Sequence, residues 1–143
     1  MPYNHLEDLD VAGVALRAWG HTLEDMFLAA SDAMLQAMVA DPDALTFQEN
    51  YMFEGCETSL ELSLHTFLHT FIHSKNHDRT LLRVAQVSIT RDRGNFRVRT
   101  RAEGVPWHPD MHRLTTDVQR VDLSRIQIVE MPDAWTTTFV LEV

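Results

Sequence analysis

The chain has 143 residues, one cysteine (Cys56) and the composition of an ordinary globular domain. Hydrophobic residues make up 45% and charged residues 23%, proportions that argue against a disordered chain. No apolar run approaches the roughly 18 residues of a membrane-spanning helix, and the N-terminal residues lack the basic and apolar regions of a signal peptide. We therefore expect one domain over residues 1–143, and the lone cysteine favours a reducing, cytoplasmic location without membrane contact.

The formal net charge of −9 is distributed unevenly along the chain. Residues 1–80 carry three basic and thirteen acidic side chains, whereas residues 81–143 carry nine basic and eight acidic ones. The acidic first part disfavours nucleic-acid binding by the chain alone and favours a basic protein partner or a cation. The same charge is also typical of a soluble acidic protein in which it only keeps the molecules dispersed.

The first predicted elements are a strand and a helix. Residues 11–19 are apolar with an alternating tendency, which predicts a strand that Gly20 closes. Thr22 and Asp25 form a variant of the capping box, which indicates the start of a helix. The apolar residues that follow recur at helical spacing until Pro42 ends the pattern. The residues expected to pack this helix against the sheet are Leu23, Phe27 and Met34.

A second strand and helix follow. Residues 46–54 predict a strand that Gly55 ends, and residues 58–73 predict a helix. We expect its inner face to include Phe67, Leu68 and Phe71.

After residue 80 the apolar period changes to two, which is typical of strands. Four strands are predicted, over residues 82–90, 95–102, 115–129 (with a break allowed) and 136–143, with a loop at 105–109 and a turn at 131–134. The order βαβαββββ predicts a single α+β domain, with mostly antiparallel sheet(s) and two helices packed on one face.

Four histidines, spaced by four along the second predicted helix, form a histidine stripe: His65, His69, His73 and His77. This spacing is that of a zinc-binding pair on a helix. However, the stripe lies opposite the apolar face, and no glutamate follows the first histidine as in a zinc protease. We interpret the stripe as solvated, with adventitious metal capture as the alternative.

Arg97, Arg99 and Arg101 alternate along one predicted strand and form an arginine stripe. Alternation places the three side chains on one face of the sheet, where they could contact phosphates or a partner. The alternative is the solvent-exposed face of an edge strand, where charged side chains prevent pairing with strands of other molecules.

Carboxylates occur near both ends of the chain, at Asp10 and its neighbours and at Glu142. Together with the terminal carboxylate of Val143, Glu142 could supply oxygen ligands to a hard cation. An acidic chain end without a role is the alternative. No catalytic residue is predicted, because Cys56 has acidic neighbours and no phosphate-binding loop or nucleophile motif is present.

The order of the elements and several short motifs resemble the archease family, small acidic proteins that assist RNA-splicing ligases. The motifs span nearly the whole chain: DVAGVALRAWG at 10–20, TLE at 22–24, an acidic-Gly turn at 54–55, HRLTTDVQ at 112–119, and Trp135 with FVLEV at 139–143.

The resemblance implies an α+β fold and a calcium or magnesium ion held by acidic residues of the first and last strands. It also implies a helper role toward a GTP-dependent RNA ligase in tRNA splicing or RNA repair, as a promoter of guanylation and turnover that is not itself a catalyst. We expect the ligase as a partner and no sequence-specific nucleic-acid binding. The alternatives are a diverged binding or chaperone-like module and, less favoured, a small-molecule enzyme.

The metal ligands implied by the resemblance are Glu142, Val143 and Asp10. Gly13 occupies the position at which the family has an aspartate, and His69 and Thr70 occupy those of an acidic pair in the second helix. We therefore expect weak metal binding, which Gly13→Asp would strengthen.

Overall fold

Two antiparallel sheets and two long helices make up the fold in the computed structural model, which describes residues 2–6, 13–108 and 114–143. The larger sheet has the strand order β1-β2-β8-β6, and β7 also pairs with β8; the smaller sheet has the order β3-β5-β4. The predicted α+β class is confirmed, with the sheet divided in two. The elements are β1 (Tyr3–Leu6), β2 (Val14–Gly20), α1 (Leu23–Met38), β3 (Glu49–Glu57), α2 (Leu60–His77), β4 (Thr80–Asp92), β5 (Asn95–Pro106), β6 (Arg120–Val121), β7 (Gln127–Met131) and β8 (Ala134–Glu142), with 3-10 turns at Pro42–Ala44 and Leu123–Arg125.

Both helices begin at a side-chain cap. The Thr22 hydroxyl accepts a hydrogen bond of 3.1 Å from the Asp25 N–H, which confirms the predicted start of α1. The Ser59 hydroxyl accepts the equivalent bond from Leu62 at the start of α2. In the described part of the chain, neither helix is apolar enough over sufficient length to cross a membrane.

The core lies where the helices meet the sheets. Helix α1 contacts β2 and β8 of the larger sheet and β4 of the smaller one, while α2 contacts the three strands of the smaller sheet and β6. Five of the six predicted core residues are buried, and Leu23 is half-buried against them. The Phe67 ring lies 5.2 Å from Phe27 and 4.9 Å from Phe71 between centroids, so it joins the two helices.

Helix α2 continues four residues beyond its predicted end at residue 73. The extension includes Ser74 and Lys75, both buried, so tertiary contacts favour the last turn of the helix more than its polar composition suggests. The helix ends before Arg79, whose positive φ of 53° breaks the helical geometry.

Gly55 does not end a strand, contrary to the prediction. Strand β3 runs through it, and Gly55 pairs with Val98 of β5. The Glu54–Gly55 pair is therefore part of a strand and not a turn. A glycine inside a strand is tolerated here because β5 supplies the pairing on one side.

The predicted strand over residues 115–129 is broken, as that prediction allowed, but residues 115–119 are not part of a strand. The segment forms β6, the 3-10 turn Leu123–Arg125 and β7, and both short strands pair with β8. The Asp122 carboxylate accepts hydrogen bonds from the Ser124 N–H and hydroxyl, which stabilises the turn between them. The short strand β1 was not predicted, and β5 extends into the predicted loop as far as Pro106.

Phe67→Ala is expected to lower the free energy of unfolding by about 3–5 kcal/mol, because it removes a buried ring that contacts both helices. Urea denaturation measures the change. Met52→Ala is the control, since Met52 is 71% exposed and its truncation should cost less than about 0.5 kcal/mol. Equal denaturation midpoints for wild type and Phe67→Ala would contradict this account of the core.

Candidate functional site

Gly13 and Glu142 lie next to each other at one end of the larger sheet. Strand β2 begins with Val14, which pairs with Leu141 of β8, and Gly13 precedes that pair. A Cβ atom added at Gly13 would lie 2.2 Å from the Leu141 carbonyl oxygen and 3.6 Å from the Glu142 Cα. The two predicted positions of the cation site are therefore brought together.

The conformation of Gly13 argues against adding a side chain there. Its φ of +155° is one that L-residues rarely adopt, and the neighbouring carbonyl already fills the space of a Cβ atom. The expectation that Gly13→Asp would strengthen metal binding is therefore not supported, because an aspartate at residue 13 would require the backbone to move.

The Glu142 carboxylate is already paired with a cation. The carboxylate forms an ion pair with the Arg120 guanidinium. The backbone carbonyl oxygen of Glu142 accepts a hydrogen bond of 2.8 Å from the Gln119 N–H. The register of β6 on β8 places Arg120 directly opposite Glu142. The guanidinium offsets the negative charge that a divalent cation would require.

The remaining predicted ligands do not complete a cation site. Val143 is exposed, and Asp10 lies outside the described residues. In residues 2–6, 13–108 and 114–143, no three His, Cys, Asp or Glu side chains converge as metal ligands. A calcium site needs six to eight oxygen ligands, so one carboxylate that is paired with an arginine does not fit the ion by itself.

The arginine stripe lies on the outer face of the smaller sheet. Its strand, β5, is the central strand of that sheet, so the edge-strand alternative is wrong. Arg97 and Arg99 share the Glu54 carboxylate of β3, each with an N–O distance of 3.4 Å. Arg101 has no ion-pair partner among the described residues. One carboxylate therefore pairs with two of the three guanidiniums, and the stripe keeps a positive charge.

The histidine stripe is not solvated throughout, contrary to the interpretation from sequence. The Nε2 atom of His69 accepts a hydrogen bond of 3.1 Å from the Val121 N–H of β6, and His69 is half-buried. Residues four apart on a helix are offset by about 40°, so the stripe turns gradually around α2. In its first half His69 contacts β6, whereas His73 and His77 are exposed.

Burial lowers the pKa of His69 below its usual value of 6.5, and the adjacent His65 ring lowers it further. The Nε2 atom can accept the Val121 hydrogen bond only when it carries no proton. Neutral His69 therefore holds β6 in place, and with it Arg120, which pairs with Glu142.

A buried lysine is the feature that the sequence analysis missed. The Lys75 ammonium is fully buried and donates hydrogen bonds to the Asp117 carboxylate and, at 2.7 Å, to the Val118 carbonyl. The Trp107 indole N–H donates to the Lys75 carbonyl at 3.0 Å. Lys75 continues the apolar spacing of Leu64, Leu68 and Phe71, and that position was the available signal. Lys75 thus connects two segments to the end of α2, the one at Trp107 and the one at residues 117–118.

The model of the archease protein family matches residues 3–143. The chain belongs to the archease family. The protein archease of Methanopyrus kandleri is 26% identical to it over 142 residues, which are 99% of each chain.

Solved structures support the fold of this archease-family chain. The solution structure of protein 1598 from Methanobacterium thermoautotrophicum has a TM-score of 0.81, at 20% identity and 99% coverage of both chains. The crystal structure of an archease from Thermotoga maritima, described as a possible chaperone, has a TM-score of 0.58 at 13% identity and covers 98% of this chain and 100% of that one. At these identities the likeness concerns the fold alone.

The stability of the protein is expected to depend on pH through His69. Its folded-state pKa is lowered, so its contribution is complete above pH 6.5 and is lost as the pH falls through the lowered value. Between pH 7.5 and 5 the free energy of unfolding is expected to fall by about 0.5–1.5 kcal/mol, the net contribution of one hydrogen bond. Urea denaturation at a series of pH values measures it.

His69→Gln should reduce this pH dependence, because a glutamine amide oxygen accepts a hydrogen bond without titrating. His73→Gln is the matched control, since the exposed His73 has no such bond and its variant should retain the wild-type dependence. Identical pH profiles for wild type and His69→Gln would contradict the assignment.

Proposed function

We propose that this chain is an accessory protein of a GTP-dependent RNA-splicing ligase, which promotes guanylation and turnover of that ligase in tRNA splicing or RNA repair. Membership of the archease family along residues 3–143 is the observation that carries the proposal. The chain then acts through contact with the ligase and not as a catalyst. A cytoplasmic location is part of the same proposal.

The distribution of charge supports two different contacts in such a complex. Acidic side chains predominate in residues 1–80 and complement a basic ligase surface. The arginine stripe has the opposite, positive charge. Guanidiniums bind phosphate oxygens in a bidentate manner. We propose that the stripe contacts phosphate groups or an acidic part of the ligase, without reading RNA sequence.

The test measures guanylation of a purified RNA-splicing ligase by labelled GTP, with substoichiometric amounts of this chain. We expect the chain to raise the fraction of guanylated ligase and the number of turnovers. Replacement of Arg97, Arg99 and Arg101 by glutamine should reduce the effect. The control replaces Arg17, Arg79 and Arg125 by glutamine, which removes the same charge outside the β4–β5 hairpin and should leave the effect unchanged.

No stimulation by the wild-type chain at any ratio would contradict the role as a ligase accessory and favour the binding or chaperone-like alternative. Stimulation that is equal for both triple variants would contradict only the role of the arginine stripe.

We also propose that calcium or magnesium binds only weakly at the end of β8. The support is the ion pair between Glu142 and Arg120, since a divalent ion must displace the guanidinium before it reaches the carboxylate. Asp10 and the Val143 terminus remain the proposed additional donors.

Calorimetric titration with Ca²⁺ tests this proposal. Arg120→Gln should strengthen binding because it frees the Glu142 carboxylate, and Glu142→Gln should abolish it. Arg125→Gln is the matched control, since Arg125 pairs with Asp122 and its loss changes the net charge equally. Tight binding by wild type that survives Glu142→Gln would contradict the location.

A further inference from the structure

The second half of the histidine stripe presents two exposed imidazoles side by side. His73 and His77 lie one turn apart in the last part of α2, and their ring centroids are 4.4 Å apart with an interplanar angle of 32°. Neither ring makes a hydrogen bond to another group in the described residues. Both rings therefore keep a nitrogen lone pair that is available to a ligand.

The first half of the stripe has the same spacing but different chemistry. The His65 and His69 rings are 4.3 Å apart, yet the Nε2 atom of His69 already accepts the Val121 hydrogen bond. A metal ion at that nitrogen would have to displace the backbone of β6. Helix α2 thus has two pairs of histidine rings in contact, and of these two pairs only His73 and His77 make no hydrogen bond among the described residues.

We infer that His73 and His77 form a bidentate site for a divalent transition-metal ion such as Zn²⁺, Ni²⁺ or Cu²⁺. Imidazole nitrogens suit these ions, and two histidines four residues apart on a helix are a known chelating arrangement. Calcium and magnesium prefer oxygen ligands and are excluded from this pair. Two protein ligands leave the other coordination positions to water or to an exchangeable ligand.

The surrounding charges allow a cation at this place. The C-terminal end of a helix carries a partial negative charge, which attracts cations. The nearby Lys75 ammonium is buried and paired with Asp117, and the Arg79 guanidinium lies 5.5 Å from the centre of the Trp107 ring. The Lys75 charge is therefore compensated by a carboxylate, and the Arg79 guanidinium lies against a ring instead of being free in solution.

Zinc titration of the tag-free chain tests the site by calorimetry, together with NMR of the histidine ring resonances. We expect one equivalent of Zn²⁺ to bind and to shift the rings of His73 and His77. Either His73→Gln or His77→Gln should weaken binding at least about tenfold, because the chelate is lost. His65→Gln is the matched control on the same helix and should leave the affinity unchanged.

Three results would overturn the inference: no zinc binding by wild type, an affinity that both His73→Gln and His77→Gln leave unchanged, or an equal loss in His65→Gln. The exposed substitutions should preserve the fold, which the unchanged denaturation midpoint of each variant checks. The inference is independent of the proposed ligase role, since the test uses the isolated chain.

Discussion

Strand β8 pairs along both of its edges, and the positions of the candidate groups depend on that pairing. Strand β2 occupies one edge, while β7 and β6 follow each other along the other. The register brings Gly13 beside Glu142 on one side and Arg120 opposite Glu142 on the other. Because β6 has only two residues, its position also depends on the hydrogen bond between His69 and Val121. Strand β8 and its neighbours thus bring together Gly13, His69, Arg120 and Glu142, which are far apart in the sequence.

Ion pairs decide which of the charged side chains in the sequence are free to bind a ligand or a partner. Glu142 is balanced by Arg120, so the carboxylate at the end of β8 is not free for a cation. The Lys75 ammonium can be buried because the Asp117 carboxylate and the Val118 carbonyl accept its hydrogen bonds. These contacts hold residues 117–118 against α2. The arginine stripe, by contrast, keeps positive charge because, within the described part of the chain, Glu54 is the one carboxylate that forms ion pairs with it. The acidic protein therefore carries a local surface of positive charge on its smaller sheet.

The two proposed cation sites differ in the hardness of their donors. The end of β8 offers carboxylate oxygen, which suits calcium or magnesium, and an arginine competes for it. The end of α2 offers two imidazole nitrogens without a competing bond, which suits zinc or nickel. The first site is proposed from the resemblance to the archease family, whereas the second is inferred from His73 and His77 of this chain. Binding of calcium or magnesium therefore reports on the first site alone, whereas zinc can bind both imidazole and carboxylate.

The sequence by itself determined what depends on local spacing. The capped start of α1 follows from the spacing of Thr22 and Asp25, and the buried face that includes Phe67 follows from a period of 3.6 residues. The shared face of the arginine stripe follows from a period of two, and the archease family from short motifs in a fixed order. Only the tertiary structure decided how the sheet divides, which residues partner Glu142 and His69, and why Lys75 is buried. These contacts join residues 22, 52 and 42 positions apart, respectively. Local periodicity carries no information about such distances, because strand pairing between remote segments selects the partners.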